Sequence, residues 1–164
     1  METDMGIDMG IGMGVIRAIC TSAKKGTAKK TVPSATLVVE HGIEGDAHAG
    51  KWHRQVSLLS WQAIEDFKAR GAIVSHGCFG ENLIVDGIDF AALPVGTRLS
   101  CNEVLMEVSQ IGKECHSHCQ IFHTMGDCIM PRQGVFAKVL HGGLVRPGDE
   151  MLVLPVGREA GADY

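Results

Sequence analysis

The sequence predicts a mainly β, barrel-like domain with a few short helices, α+β by content. Three observations carry this. Short apolar runs rich in β-branched residues recur along the chain. Glycine, present 21 times, punctuates them. Helical periodicity is confined to two or three short stretches. The 164 residues suffice for one domain with a real core and are too few for two ordinary ones.

The elements follow in order. Residues 1–12, acidic and rich in Gly and Met, read as a flexible leader, and a single domain is expected over 13–155, with a loose tail at 156–164. Gly14 to Ser22 reads as a strand, followed by a loop with Lys24, Lys25, Lys29 and Lys30, read as solvated or as a small anion site. Ala35 to Glu40 is a second strand. His41 to Arg54 has loop composition, and Gln55 to Ser60 is a buried strand. Trp61 to Gly71 is the strongest helix: Trp61, Ile64 and Phe67 fall at helical spacing, Ser60 stands at the N-cap and Gly71 ends it. Strands are expected at Asn82 to Asp86, Arg98 to Cys101 and Val104 to Gln110, the last with Val104, Met106 and Val108 on one face. His116 to Gly126 and Gly134 to Gly143 read as short helical stretches, and Glu150 to Leu154 as a closing strand.

Composition narrows the function classes. Hydrophobic residues make up 45% and charged residues 21%, which suits a globular protein. The formal net charge of −4 argues against nucleic acid as the main partner, because phosphate-backbone binding needs a basic surplus. No run approaches the ~18 apolar residues of a membrane span. The N-terminus lacks the charged and apolar regions of a signal peptide, so a cytoplasmic location and reduced thiols are expected for the six cysteines.

The densest chemistry lies in Gly112 to Phe122, where Cys115, His116, His118 and Cys119 stand within five residues. Spacing of i,i+4 puts Cys115 and Cys119 on one face if this stretch is helical. Four readings are open: one arm of a zinc site with His116, His118 or His123 as third ligand and Cys128 to complete it, a disulfide, packed structural cysteines, or a reactive thiol. For the last, Lys113 and the histidines would lower the thiol pKa and favour thiolate, which can hold a persulfide or ligate a soft metal. A second cluster, Asp46-x-His48, is either an Asx-type turn or a carboxylate–histidine pair in which Asp46 orients the ring. Glu81 and Asn82, beside the Gly80 turn, are candidates to offer polar groups to a site.

Five stretches in this order, "GIEGDAHAG" (42–50), "GCFGENLIVDGID" (77–89), "LPVGTRLS" (93–100), "GKECHSHCQI" (112–121) and "MPRQGVFAKVLHGGLVRPGDEM" (130–151), resemble the MOSC domain, a family named after the C-terminal part of molybdenum cofactor sulfurases. The resemblance runs from Val15 to Leu154. It implies a MOSC-type β-barrel and association with the molybdenum cofactor (molybdopterin). It also implies a key cysteine that carries persulfide sulfur or ligates molybdenum. That cysteine matches Cys119. The upstream one resembles Cys115, with three residues between them where relatives often have two.

On this resemblance the expected function is a sulfur carrier or sulfurtransferase. Cys119 takes sulfur from a cysteine desulfurase for a molybdenum-cofactor-dependent acceptor, and Cys115 then releases sulfide through a transient disulfide. Whether this amounts to enzymatic turnover is left open. His48 with Asp46 would carry protons. Lys113, His116 and His118 would favour the anionic sulfur, and Arg54, Arg132, Lys138 and the lysine loop would hold the cofactor's phosphate. The pyridoxal-phosphate domain of the large sulfurases and the extra N-terminal β domain of the molybdenum reductases have no counterpart here, so no pyridoxal phosphate is expected in this chain. The competing classes are a storage and delivery module, a small reductase of N-hydroxylated compounds, and a zinc-stabilised structural domain.

Overall fold

The computed structural model describes residues 12–25, 28–112, 129 and 133–154. The strands are β1 (Met13–Thr21), β2 (Lys30–Thr31), β3 (Ala35–Val38), β4 (Gly42–Ile43), β5 (Val56–Ser60), β6 (Leu83–Asp86), β7 (Arg98–Cys101), β8 (Val104–Ile111), β9 (Val135–His141), β10 (Gly143–Val145) and β11 (Glu150–Leu154). One α-helix, α1 (Trp61–Ala69), and a 3-10 turn at Phe90–Ala92 complete the described elements. Seven strands, in the order β11-β7-β8-β9-β5-β6-β1, close into a barrel through the β1–β11 pairing. β2 extends β1 at its end, and β10-β3-β4 form a small separate sheet. Every pairing is antiparallel except β5–β6, which α1 connects as a crossover.

Alternation builds two apolar clusters from the same strands. Val56 and Leu58 of β5, Leu83 and Val85 of β6, Met106 and Val108 of β8, and Val135, Ala137 and Val139 of β9 point inward and fill the barrel. Outward, Leu59, Ile84 and Phe136 join Ile64 and Phe67 of α1 in a second cluster. β1 serves both. A register shift between Ile16 and Ala18 changes its phase, so Ile16 and Ile19 face the barrel while Ala18 and Cys20 lie under the helix layer. At the closure, Gly14 lies so near β6 that a Cβ there would sit 2.7 Å from the Asp86 carbonyl oxygen. Only glycine fits that approach.

α1 begins after Ser60, whose hydroxyl contacts Gln62 and makes no cap bond to the backbone. Gly71, at φ 104°, takes the left-handed position past its C-terminus. The segment Gly134 to Gly143, expected to be helical, is instead the central strand β9. Its outward positions carry Phe136, Lys138 and Leu140, so a single polar residue interrupts an otherwise apolar run and the period of two is obscured. Residues 1–11 of the leader expected at 1–12, the tail expected at 156–164 and the helical stretch expected at His116 to Gly126 lie outside the described residues. Among the described residues no helix is long and apolar enough to cross a membrane.

Leu58 is fully buried inside the barrel. Leu58→Ala is expected to lower the unfolding free energy by about 2–5 kcal/mol. A fall in the urea midpoint with the slope unchanged would measure this.

Candidate functional site

A cavity of about 160 Å3 lies on the outer wall of the barrel. Its floor is Ser57 of β5 and Phe136 of β9, which are paired across the two strands. Three loops raise its walls. Lys25 comes from the first, His48, Trp52 and Arg54 from residues 41–54, and Phe79 and Gly80 from residues 77–80. A Cβ on Gly80 would meet nothing within 4 Å, so the absent side chain leaves open space. A larger, more open groove of about 570 Å3 beside α1 carries Asp66 and Asp89 together with Arg70. Its carboxylates make it the poorer host for an anion.

Arg54 is the central cation of the smaller cavity. Its guanidinium lies 5.3 Å from the Phe136 ring centroid and 5.8 Å from that of Trp52, and Lys25 approaches Trp52 at 5.6 Å. Arg54 Nε donates to Gln110 Oε1 at 3.0 Å, and the same oxygen is 2.7 Å from His53 Nε2. Gln110 Nε2 in turn donates to the Gly112 carbonyl, and Gly112 N–H donates to the Gly134 carbonyl at 2.6 Å. The aromatic faces restrict the guanidinium and strengthen its positive field by excluding water.

Glu81 and Asn82, expected to offer polar groups to a site, are fully buried and build the wall instead. Glu81 accepts the N–H groups of Gly77 and Phe79 at 2.9 and 3.0 Å. Asn82 Oδ1 accepts the Ser57 N–H at 2.9 Å, and its Nδ2 donates to the Cys20 carbonyl at 3.0 Å. Burial pushes the Glu81 carboxyl up, against the smaller pull of those N–H groups and of Lys29.

The lysine loop divides. Lys25 faces the cavity, whereas the Lys29 side chain is wholly buried, with Nζ 2.7 Å from Asp46 Oδ1. Asp46 Oδ1 also accepts the Ser22 N–H and Oδ2 the His48 N–H, each at 3.1 Å. Burial raises the Asp46 carboxyl, but the bonds and charge of Lys29, with those two N–H groups, outweigh it and hold it below its ordinary value. Asp46 and His48 do come together, with Oδ2 4.0 Å from His48 Nδ1. That is beyond hydrogen-bond reach, so Asp46 fixes the backbone of His48 and not its ring.

Of the residues singled out in the sequence, Arg54, His48 and Asp46 thus converge at or beneath one cavity. Lys138 stands on β9 opposite Glu107, away from the cavity lining. Cys115, Cys119, Lys113, His116, His118 and Arg132 lie outside the described residues, as do Cys128 and His123 of the zinc reading. Among the described residues, no cluster of three or more His, Cys, Asp or Glu side chains is placed to hold a metal ion. Burial pushes the thiols of Cys20 and Cys101 up to about 12 and about 11, so both stay protonated and unreactive at neutral pH. Sequence reasoning missed Trp52, Phe79 and Phe136 as cavity walls. Isolated aromatics carry no motif, and only the fold brings them together.

Residues 45–152 match the MOSC domain family, and the chain belongs to it. That family is known for binding the molybdenum cofactor. The uncharacterized protein YflK of Bacillus subtilis (strain 168) is 26% identical over 146 residues, which cover 82% of this chain and 65% of YflK, slightly under two thirds of its length. The YuaD protein from Bacillus subtilis superposes with a TM-score of 0.74 at 18% identity, over 87% of this chain and 96% of that one. YiiM from Geobacillus stearothermophilus gives 0.67 at 19% identity, over 90% and 78%. These two likenesses establish the barrel fold.

The cavity suits the anionic end of the family's cofactor. Two cations, flat aromatic walls and the open space at Gly80 form a site for a phosphate beside a planar ring, while the Ser57 hydroxyl is committed as donor to the Gly80 carbonyl at 3.0 Å. Its volume falls short of the ~300 Å3 at which sites for whole cofactors begin, so it matches one end of such a molecule.

The two buried carboxylates titrate with opposite sign. Asp46, held below 3.8, contributes stability that is complete above that value and lost as pH falls through its lower folded pKa. Glu81, raised above 4.5, contributes stability that is complete below that value and lost as pH rises through its folded pKa. Glu81→Gln is expected to flatten the stability–pH curve above 4.5, and Asp46→Asn the limb below 3.8, in thermal unfolding scans across pH.

Proposed function

We propose that the protein is a sulfur carrier associated with the molybdenum cofactor, with Cys119 as the working thiol. The observation that carries this reading is the convergence of Arg54, Lys25 and His48 with three aromatic rings on one cavity of a MOSC barrel. Arg54 and Lys25 hold the cofactor's phosphate by charge-assisted hydrogen bonds. Trp52 and Phe136 keep the guanidinium in its plane and exclude water. When bound, the cofactor supplies a molybdenum centre able to accept sulfide.

The chain's own chemistry is thiol exchange. The Cys119 thiolate attacks the terminal sulfur of a persulfide on a cysteine desulfurase. One S–S bond forms on Cys119 as the donor's S–S bond breaks, and the donor cysteine leaves as thiolate. In delivery the Cys115 thiolate attacks the Cys119 sulfur and the Cys119 persulfide bond breaks. The outer sulfur leaves as sulfide for a cofactor-dependent acceptor enzyme, and a Cys115–Cys119 disulfide forms, with His48 exchanging the accompanying protons.

Two measurements test this reading. Protein from cells that make the cofactor is expected to contain molybdenum and pterin, and Arg54→Met to weaken cofactor binding by about 10- to 100-fold, the loss of one charged hydrogen-bonding group. After incubation with a cysteine desulfurase and cysteine, persulfide is expected on Cys119. Cys119→Ser is expected to abolish transfer and leave the melting temperature unchanged. Stoichiometric zinc with neither molybdenum nor persulfide would refute the carrier. Bound molybdenum with no persulfide would assign storage and delivery instead.

A further inference from the structure

We propose that Lys29 is the positioning residue of the cavity, holding two of its loops in their binding arrangement through Asp46 and meeting the third through its own backbone, while touching no ligand itself. Its sequence context, "AKKGTAKK", suits a surface lysine that contacts anions. The geometry excludes that role for Lys29. Its ammonium is enclosed and directed at Asp46, and Lys29 is not among the residues lining the cavity.

Burying such a pair has a large desolvation cost, and well-packed apolar replacements often equal or exceed its stability. Its value therefore lies in what it connects. Asp46 receives the N–H groups of Ser22 and His48, and Lys29 Nζ also donates to Ser22 Oγ at 3.3 Å. That fixes the stem of the loop bearing Lys25 and the backbone of His48. The His48 carbonyl accepts Trp52 Nε1–H at 2.8 Å, which carries the restraint to the aromatic wall. On its other side, the Lys29 N–H donates to the Gly77 carbonyl at 3.0 Å, where the loop of Phe79 and Gly80 begins. Gly77 has φ 92°, and a Cβ there would lie 2.1 Å from the Lys29 carbonyl oxygen, so the two backbones pack in direct contact. One residue thus bears on every loop that walls the cavity, on two through its ammonium and on the third through its main chain.

The affinity arm of the test rests on the anion-site reading above; the exchange arm does not. The double variant K29M/D46L replaces the pair by apolar side chains. It is compared with the parent in a Trp61→Phe background, so that Trp52 alone emits. Inorganic phosphate is titrated by Trp52 fluorescence. Exchange of the Ser22 and His48 amides is followed by NMR without ligand, and the melting temperature is recorded. The expected result is a melting temperature within a few degrees of the parent, at least tenfold weaker phosphate binding, and loss of protection at both amides. Retained affinity with retained protection would overturn the proposal and make the pair mere filling. A parent that binds no phosphate would refute the anion site, and amide exchange in Lys29→Gln, which keeps the Asp46 acceptor, would then decide the role of Lys29: lost protection at both amides supports it and retained protection overturns it. Lys29→Gln, which keeps a shorter neutral donor toward Asp46, gives the same comparison if the double variant does not fold.

Discussion

The pairing of β1 with β11 is the constraint on which the rest depends. It joins the first and last strands of the barrel and leaves no long open edge in the seven-strand ring. Closure also fixes which side of every strand is inside, because a one-residue slip would exchange the two faces. The inner face is almost wholly aliphatic. The outer face of β5, β6 and β9 is then free to carry two unlike things: an apolar patch for α1, and the polar floor of the cavity at Ser57.

The site follows from that division. Ser57 faces outward because Val56 and Leu58 face inward, and Asn82 meets it because β6 runs beside β5. The loops at this end of the strands are tied by buried polar groups. Glu81 organises the 77–80 turn, Asn82 links β1 to β5, and Lys29 with Asp46 joins the remaining two loops. Such a frame suits a site that must present cations at fixed positions, since preorganised donors lose little energy to rearrangement on binding.

Much of this was legible in the chain. The alternation in β8, the helix Trp61–Ala69 and its glycine stop follow directly from periodicity and turn chemistry. The ordered motifs pointed to the family before any coordinates. β9 was misread because Phe136 and Leu140 flank Lys138 on its outer face and leave only one polar position among apolar ones, a pattern that does not separate a buried strand from a short helix. Lys29 and Glu81 were misread for a related reason. A charged residue in a Gly-rich loop is usually solvated, and only the approach of strands far apart in sequence buries these two. Asp46 and His48 were rightly placed near each other, but which atoms meet depends on the Lys29 partner 17 residues away. Trp52, Phe79 and Phe136 come from three separate segments, so their convergence belongs to topology.

The two deeply enclosed thiols, Cys20 and Cys101, have a practical consequence. Held in the protonated form under closely packed side chains, Cys101 meets an alkylating reagent only when the barrel opens, and Cys20 when the layer above it is lost or the barrel opens. Their modification is therefore a clock for the opening of each layer, written into the native chain without any engineered label. Cys20 lies on β1 beneath the helix layer and Cys101 inside the ring, so a difference in their labelling rates would separate loss of the outer layer from rupture of the barrel.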